Sequence, residues 1–174
     1  MTITISKTIV KELQKKLGIE NVMALPSLEK IVINTGIGRF QEDKDREFIR
    51  RNLELIAGQK ASERKAKKSI SGLKVREGMV VGYKITLRRN RMRDFLNKLI
   101  GVAFPRSRDF QGIDEKSVDR NGNLTVGIPE HIIFPEIINE DTKIIFGLEV
   151  TLSTRAKNRE EAIELYKAMG IPFK

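Results

Sequence analysis

The stretch Met79-Val-Val-Gly-Tyr-Lys-Ile-Thr-Leu-Arg88 puts Met79, Val81, Tyr83, Ile85 and Leu87 on one side and Val80, Gly82, Lys84, Thr86 and Arg88 on the other. A period of two with one apolar side is the mark of a half-buried strand. The period then changes. Met92, Phe95, Leu96, Leu99, Ile100 and Ala103 recur at helical spacing, which predicts an amphipathic helix ended by Pro105. A half-buried strand followed by a helix with one apolar stripe points to a sheet covered by helices.

The same patterns extend outward in both directions. Toward the amino terminus, Ile31 and Ile33 alternate with Lys30, Val32 and Asn34 in a strand over Leu28–Thr35, with Asn34 outward. Pro26 separates that strand from a first helix with Ser6 as its N-cap, Val10, Leu13 and Leu17 on one face and Gly18 at its end. After Gly36-Ile37-Gly38, Asp43 or Asp45 opens a second helix with Ile49, Leu53 and Ile56 inward and Gly58 just past its end. Lys60–Lys68 reads as a short, very basic strand, and Gly72, Gly78 and Gly82 bracket a long hairpin loop at 72–82. Toward the carboxyl terminus, Leu124, Val126 and Ile128 mark a short strand, and Ile144, Phe146, Leu148, Val150 and Leu152 a longer one. The last helix has the capping pair Asn158 and Glu161, then Ala162, Leu165, Tyr166 and Met169, and stops at Gly170.

The order α-β-α-β-β-α-β-β-α has too few helices to cover both faces of a parallel sheet. The prediction is an α+β fold: a five-stranded, largely antiparallel sheet with helices on one face and the other face open. At 174 residues the chain is expected to form a single domain, 1–174. The open face would gather Asn34, Lys84, Thr86, Arg88, Thr125 and Thr151, with Gly82, Gly127 and Gly147 keeping it low where another backbone approaches.

Charge gives that face a partner. Residues 60–108 hold fifteen Lys and Arg against three acids, a net +12, whereas the flanks hold eighteen basic and twenty acidic residues. Basicity concentrated in one segment favours nucleic acid. A membrane surface is disfavoured, since no basic amphipathic helix with a Trp/Phe face is present and no apolar run is long enough to span a bilayer. With no cysteine and one histidine, disulfides, zinc ribbons and iron–sulfur clusters are excluded. The amino terminus lacks the pattern of a secretory signal, so a cytoplasmic location is expected.

Motifs for catalysis do not assemble. Gly36-x-Gly38 lacks the third glycine of a dinucleotide-binding turn. Asp119-Arg-Asn-Gly-Asn123 resembles the start of a calcium loop, but Leu124 stands where glycine is needed, so a turn is expected. His131 has no second histidine or cysteine and is read as structural. No metal, cofactor or catalytic residue is assigned. The open face also lacks aromatics for stacking single-stranded bases, because Tyr83 points inward; this favours a structured RNA read through phosphates, 2′-hydroxyls and shape. The competing readings are a free RNA chaperone and a nucleic-acid-processing enzyme using the same basic face.

Segments spread along the whole chain resemble the bacterial-type L5 family of large-subunit ribosomal proteins: Lys30-Ile-Val-Ile-Asn-Thr-Gly-Ile-Gly38, Gly58-Gln-Lys60, Lys65-Ala-Lys-Lys-Ser-Ile70, Arg76-Glu-Gly-Met79, Lys84-Ile-Thr-Leu-Arg88, Pro105-Arg-Ser-Arg-Asp-Phe-Gln-Gly112, Ile133-Phe-Pro-Glu136 and Gly170-Ile-Pro-Phe173. Ala61, Tyr83 and Ser107 depart from the pattern, without loss of a charge or a glycine. The resemblance implies a non-enzymatic ribosomal protein bound to 5S rRNA, near 23S rRNA and other proteins of the central protuberance. It also implies contacts with the elbow of the peptidyl-site tRNA and with a protein of the small-subunit head. Carried over by position, the 5S rRNA face would include Asn34, Thr35, Gln59, Lys60, Lys65, Lys67, Lys68, Ser69, Thr86 and Arg88, to which the open sheet face adds Lys84. The tRNA and intersubunit loop would include Gly72, Lys74, Arg76, Gly78 and Gly82.

Overall fold

Alternating strands and striped helices take the places that the periodicities set, over the residues that the computed structural model describes: 7–40, 42–73, 75–108, 110–137 and 144–174. Strands β1 (Leu28–Gly36), β2 (Ser62–Lys65), β3 (Val80–Leu87), β4 (Leu124–Ile128) and β5 (Leu148–Thr154) lie in the order β2-β3-β1-β5-β4. β2 and β3 are antiparallel, with Ser62 opposite Lys84, Glu63 opposite Tyr83 and Arg64 opposite Gly82, and a bulge between Arg64 and Lys65. Ile31 and Ile33 in β1, Tyr83, Ile85 and Leu87 in β3, and Leu148, Val150 and Leu152 in β5 are buried, while intervening residues are more exposed. The fold is α+β with a five-stranded, largely antiparallel sheet, as predicted.

By internal contacts the chain divides into two compact units. One comprises Val32–Leu87 and the described residues of Gly127–Val150. Its helix α2 (Asp43–Ala57) packs against β3 and the turn Pro135–Ile137, burying Ile49, Leu53 and Ile56. Asp43 and Asp45 sit in the first turn, where the helix dipole favours acids, and Gly58 closes the helix at φ 63° with its N–H on the Glu54 carbonyl. Beyond the bulge the β2–β3 hairpin keeps pairing. Ala66 exchanges backbone hydrogen bonds with Gly78 and Met79, and Ile70 pairs with Val75. The loop is therefore shorter than the predicted 72–82, and Gly82 lies inside β3.

The predicted strand from Ile144 also starts late, at Leu148. Phe146 is held by His131 instead: the two residues are joined by a backbone N–H to carbonyl bond of 3.1 Å, their rings stack at 4.0 Å, and His131 Nδ1 accepts from the Phe146 N–H at 3.4 Å. Burial holds the His131 pKa below the ordinary value, consistent with a structural imidazole.

The other unit comprises the described residues of Met1–Ile31, Arg88–Val126 and Thr151–Lys174. Helix α1 (Lys7–Leu17) packs on α5 (Arg159–Ala168), with Lys16 Nζ 3.1 Å from Glu164. The expected N-cap Ser6 lies outside the described residues. At α5 the predicted capping pair is displaced by one residue. Asn158 makes no side-chain cap, and Glu161 Oε2 accepts from the Lys157 N–H at 3.0 Å.

Helix α3 (Arg89–Lys98) does not stop before Pro105. It widens into a π-turn at Leu99–Ala103, where the Phe104 N–H reaches the Leu99 carbonyl, and finishes as the single turn α4 (Phe104–Arg106). Proline has no N–H and its ring collides with the carbonyl four residues back in an α-helix; the wider turn gives the ring room. The Tyr166 hydroxyl anchors this unit, accepting from the Leu124 N–H at 3.1 Å and lying 2.9 Å from the carbonyls of Gly122 and Leu152. Gly122, at φ 78°, fits there because a Cβ would come within 2.8 Å of the Ala162 Cβ. The Asp119–Asn123 run is a turn: Asn123 donates its backbone N–H and its amide to the two Asp119 carboxylate oxygens, at 2.7 and 2.9 Å.

Candidate nucleic-acid interface

Residues directly opposite each other on paired strands share a face. Lys84 therefore shares its outward face with Ser62, and Gly82 shares it with Arg64. Thr86 follows two residues on from Lys84, and both are half-buried. Gln59 Nε2 donates to the Thr86 carbonyl at 3.1 Å, and the Ala61 N–H donates to Glu54 Oε1 at 3.0 Å. These two bonds fix the start of the basic segment against its neighbours. Lys60, Arg64, Lys65, Lys67 and Lys68 follow, all exposed. On β1, Asn34 is exposed and its amide donates to Glu149 Oε2 at 3.4 Å.

Three expected contacts sit differently. Thr35 is buried, and its hydroxyl donates to the Gly147 carbonyl at 2.7 Å, so the side chain fixes the strand connection and is not presented to solvent. Ser69 is exposed, but its Oγ accepts from the Glu77 N–H at 2.9 Å and ties the hairpin across its width. Gly82 is buried in β3, where a Cβ would lie 2.8 Å from the Thr35 carbonyl oxygen. The backbone that approaches Gly82 is the protein's own. Gly147 is similar, facing the carbonyls of Ile128 and Pro129 at 3.2 and 3.3 Å, whereas Gly127 faces open space.

Toward the hairpin tip, Gly72, Arg76 and Gly78 are exposed, Gly78 at φ 81° in the turn before β3. Lys74 lies outside the described residues. In the other unit, Arg88 is exposed and ion-paired with Glu29 at 3.4 Å, and the Thr125 and Thr151 hydroxyls meet at 3.3 Å.

The arrangement supplies fixed amide and hydroxyl groups beside mobile cations, which is the equipment for binding phosphates and sugars. Burial of Tyr83 pushes its phenol up and removes it as a stacking surface. Two residues escaped the sequence reading. Arg64 joins the outward face through the β2–β3 register, which no local pattern reveals. Glu149 is an exposed acid bonded to the Asn34 amide, and the alternation of Leu148, Val150 and Leu152 already placed it outward.

Comparison with known proteins places these features in a lineage. Residues 21–76 match the family model described as ribosomal protein L5, and residues 80–173 match the model for the C-terminus of the same ribosomal family. The chain is 49% identical over 167 residues to the large ribosomal subunit protein uL5 of Dichelobacter nodosus, covering 95% of this chain and 93% of the relative. It is 49% identical over 168 residues to uL5 of Malacoplasma penetrans, covering 96% and 90%, and 47% identical over 163 residues to uL5 of Helicobacter pylori strain P12, covering 93% and 90%. With both family models matched in sequence and nearly the full length aligned, the chain belongs to the L5 family of ribosomal proteins.

Proposed function

We propose that this ribosomal protein binds 5S rRNA through the outward surface of Asn34, Gln59, Lys60, Arg64, Lys65, Lys67, Lys68, Lys84 and Thr86. As a family member it is a structural, non-enzymatic constituent of the large ribosomal subunit. The observation that carries the finer reading is the row of exposed cations at Lys60, Arg64, Lys65, Lys67 and Lys68 beside Lys84 and Thr86, with no outward aromatic among the described residues of the five strands. Cations on flexible stems follow phosphates, and the fixed amide of Gln59, itself held on the Thr86 carbonyl, sets the spacing between them. Thr35 and Ser69 serve this surface indirectly, through the bonds that shape it. Arg88 meets a phosphate by exchanging its Glu29 partner. The hairpin tip, with Gly72, Lys74, Arg76 and Gly78, contacts peptidyl-site tRNA, and the protein meets the small-subunit head, 23S rRNA and neighbouring proteins in a cytoplasmic ribosome.

The test is retention of labelled 5S rRNA on filters against a tRNA competitor. Arg64→Glu and Lys84→Glu should each weaken 5S binding by tenfold or more, since a charge-assisted contact is worth about 1.5–3 kcal/mol, with unchanged melting. Wild-type affinity in both variants would refute the assignment of the face.

A further inference from the structure

Glu149 is an exposed acid beside the surface proposed to bind phosphates, bonded to Asn34 of that surface. A carboxylate repels the RNA backbone, so a place for it on such a face requires a group that donates hydrogen bonds. In RNA the donors are the amino and imino groups of bases and the 2′-hydroxyl. Beside Glu149 the surface opens into a cavity of about 520 Å³ lined by Asn34, Gly36, Gly127, Pro129 and Gly147, among others, all within one unit. That volume lies in the range of small-molecule sites, about 300–1,000 Å³. Gly36 and Gly127 have nothing within 4 Å of where a Cβ would stand, so part of the cavity wall is bare backbone facing open space. A flat ring can approach such a wall closely, and this is what a surface without aromatics needs in order to seat a base. Asn34 holds one carboxylate oxygen, Oε2, at 3.4 Å, and so orients the group at the cavity's edge.

We infer that this cavity receives one unpaired guanine of the bound RNA, its N1–H and N2–H donated to the two oxygens of Glu149. Among the bases only guanine carries adjacent imino and amino donors matching a two-oxygen acceptor, and the Asn34 amide lies alongside to reach its O6. Adenine and cytosine present an acceptor next to their amino group and leave one carboxylate oxygen against a lone pair. The inference rests on the proposed RNA-binding role. It adds a base-specific contact to a surface otherwise reading backbone and shape.

The experiment is analogue interference on 5S rRNA bound to the full chain. The RNA is transcribed with sparse inosine phosphorothioate, which lacks the N2 amino group, and in parallel with 2′-deoxy phosphorothioates; bound and unbound pools are cleaved with iodine. The expected result is one guanosine at which inosine excludes the RNA from the wild-type complex, an effect within the roughly 5- to 150-fold expected of a bidentate base contact. In Glu149→Gln and in Gly127→Val, which fills the open space, that single interference should vanish while the remaining pattern persists. An inosine pattern shared by wild type and Glu149→Gln overturns the inference and leaves the RNA-binding role intact. Loss of a 2′-deoxy interference in Glu149→Gln, with inosine unaffected, also overturns it and makes Glu149 a ribose contact. Failure of the wild-type chain to retain 5S rRNA removes both readings together.

Discussion

Replacing Lys67 and Lys68 together by alanine should lower the salt dependence of 5S rRNA binding by an amount the surface geometry sets. Apart from Arg88, which Glu29 already pairs, the proposed face offers six cations: Lys60, Arg64, Lys65, Lys67, Lys68 and Lys84. If each neutralises one phosphate, the slope of log affinity against log salt is about −4 to −5, at roughly 0.7 to 0.9 per contact. Raising salt from about 50 to 200 mM should then weaken the wild type by about 250- to 1,000-fold. The double variant keeps four contacts, so its slope should fall to about −3. Both lysines are exposed between the hairpin strands, and surface changes of this kind usually move stability by less than about 0.5 kcal/mol. Filter retention across a salt series, with thermal melting as the control, measures both quantities. Equal slopes for wild type and variant would remove these lysines from the interface.

The hairpin should be separable from 5S binding: a Gly/Ser linker in place of residues 73–77 should leave 5S affinity within about threefold, or 0.6 kcal/mol, while speeding tRNA dissociation from the peptidyl site of reconstituted ribosomes. Loss of 5S binding with unaltered tRNA retention would reverse the assignment. Tyr166→Phe strands the buried Leu124 N–H and removes the one hydroxyl proton that lies between the Gly122 and Leu152 carbonyls, Gly122 keeping its Thr154 donor, so urea denaturation should show a loss of about 1–3 kcal/mol; an unchanged midpoint would deny the hydroxyl its anchoring role. His131 has its pKa lowered by burial, so as pH falls the unfolded chain protonates first, near 6.5. Its contribution is complete above that pH and declines below it, by at most about 1.4 kcal/mol per pH unit. Stability profiles of wild type and His131→Phe should therefore diverge in slope below pH 6.5, and parallel profiles would contradict the buried neutral imidazole.

Much of the fold was legible because burial imposes a period on the sequence. Ile31, Ile33, Ile85 and Leu87 are buried where alternation put them, and the α3 stripe of Met92, Phe95, Leu96 and Leu99 is buried at its expected spacing. What escaped depends on backbone pairing, which leaves no local period. Pro105 reads as a helix end, yet a π-turn accommodates it. Phe146 alternates correctly with Leu148 but is claimed by His131, and so lies outside the strand. Thr35 is polar on the buried side of β1, and its inward position becomes intelligible only with the Gly147 carbonyl in view. Arg64 needed the register of β2 on β3.

The basic segment itself divides in a way the sequence does not announce. Lys60 to Lys84 belong to the unit of Val32–Leu87, while Arg88, Arg89, Arg91, Arg93, Lys98, Arg106 and Arg108 belong to the other. Arg89 begins α3 at φ 53°, a left-handed conformation that costs a non-glycine residue about 1–3 kcal/mol. The two sets make different demands on RNA. If only the first meets 5S rRNA, with Lys74 and Arg76 kept for the hairpin tip, the salt slope is the roughly −4 to −5 of six contacts. If all fifteen cations of residues 60–108 do, it approaches about −10 to −13, at roughly 0.7 to 0.9 per contact. An intermediate slope that Arg91→Ala and Arg93→Ala reduce would bring the α3 arginines into the same complex. A slope they leave unchanged would keep those arginines for a different partner, and would confine 5S recognition to the surface around Lys84.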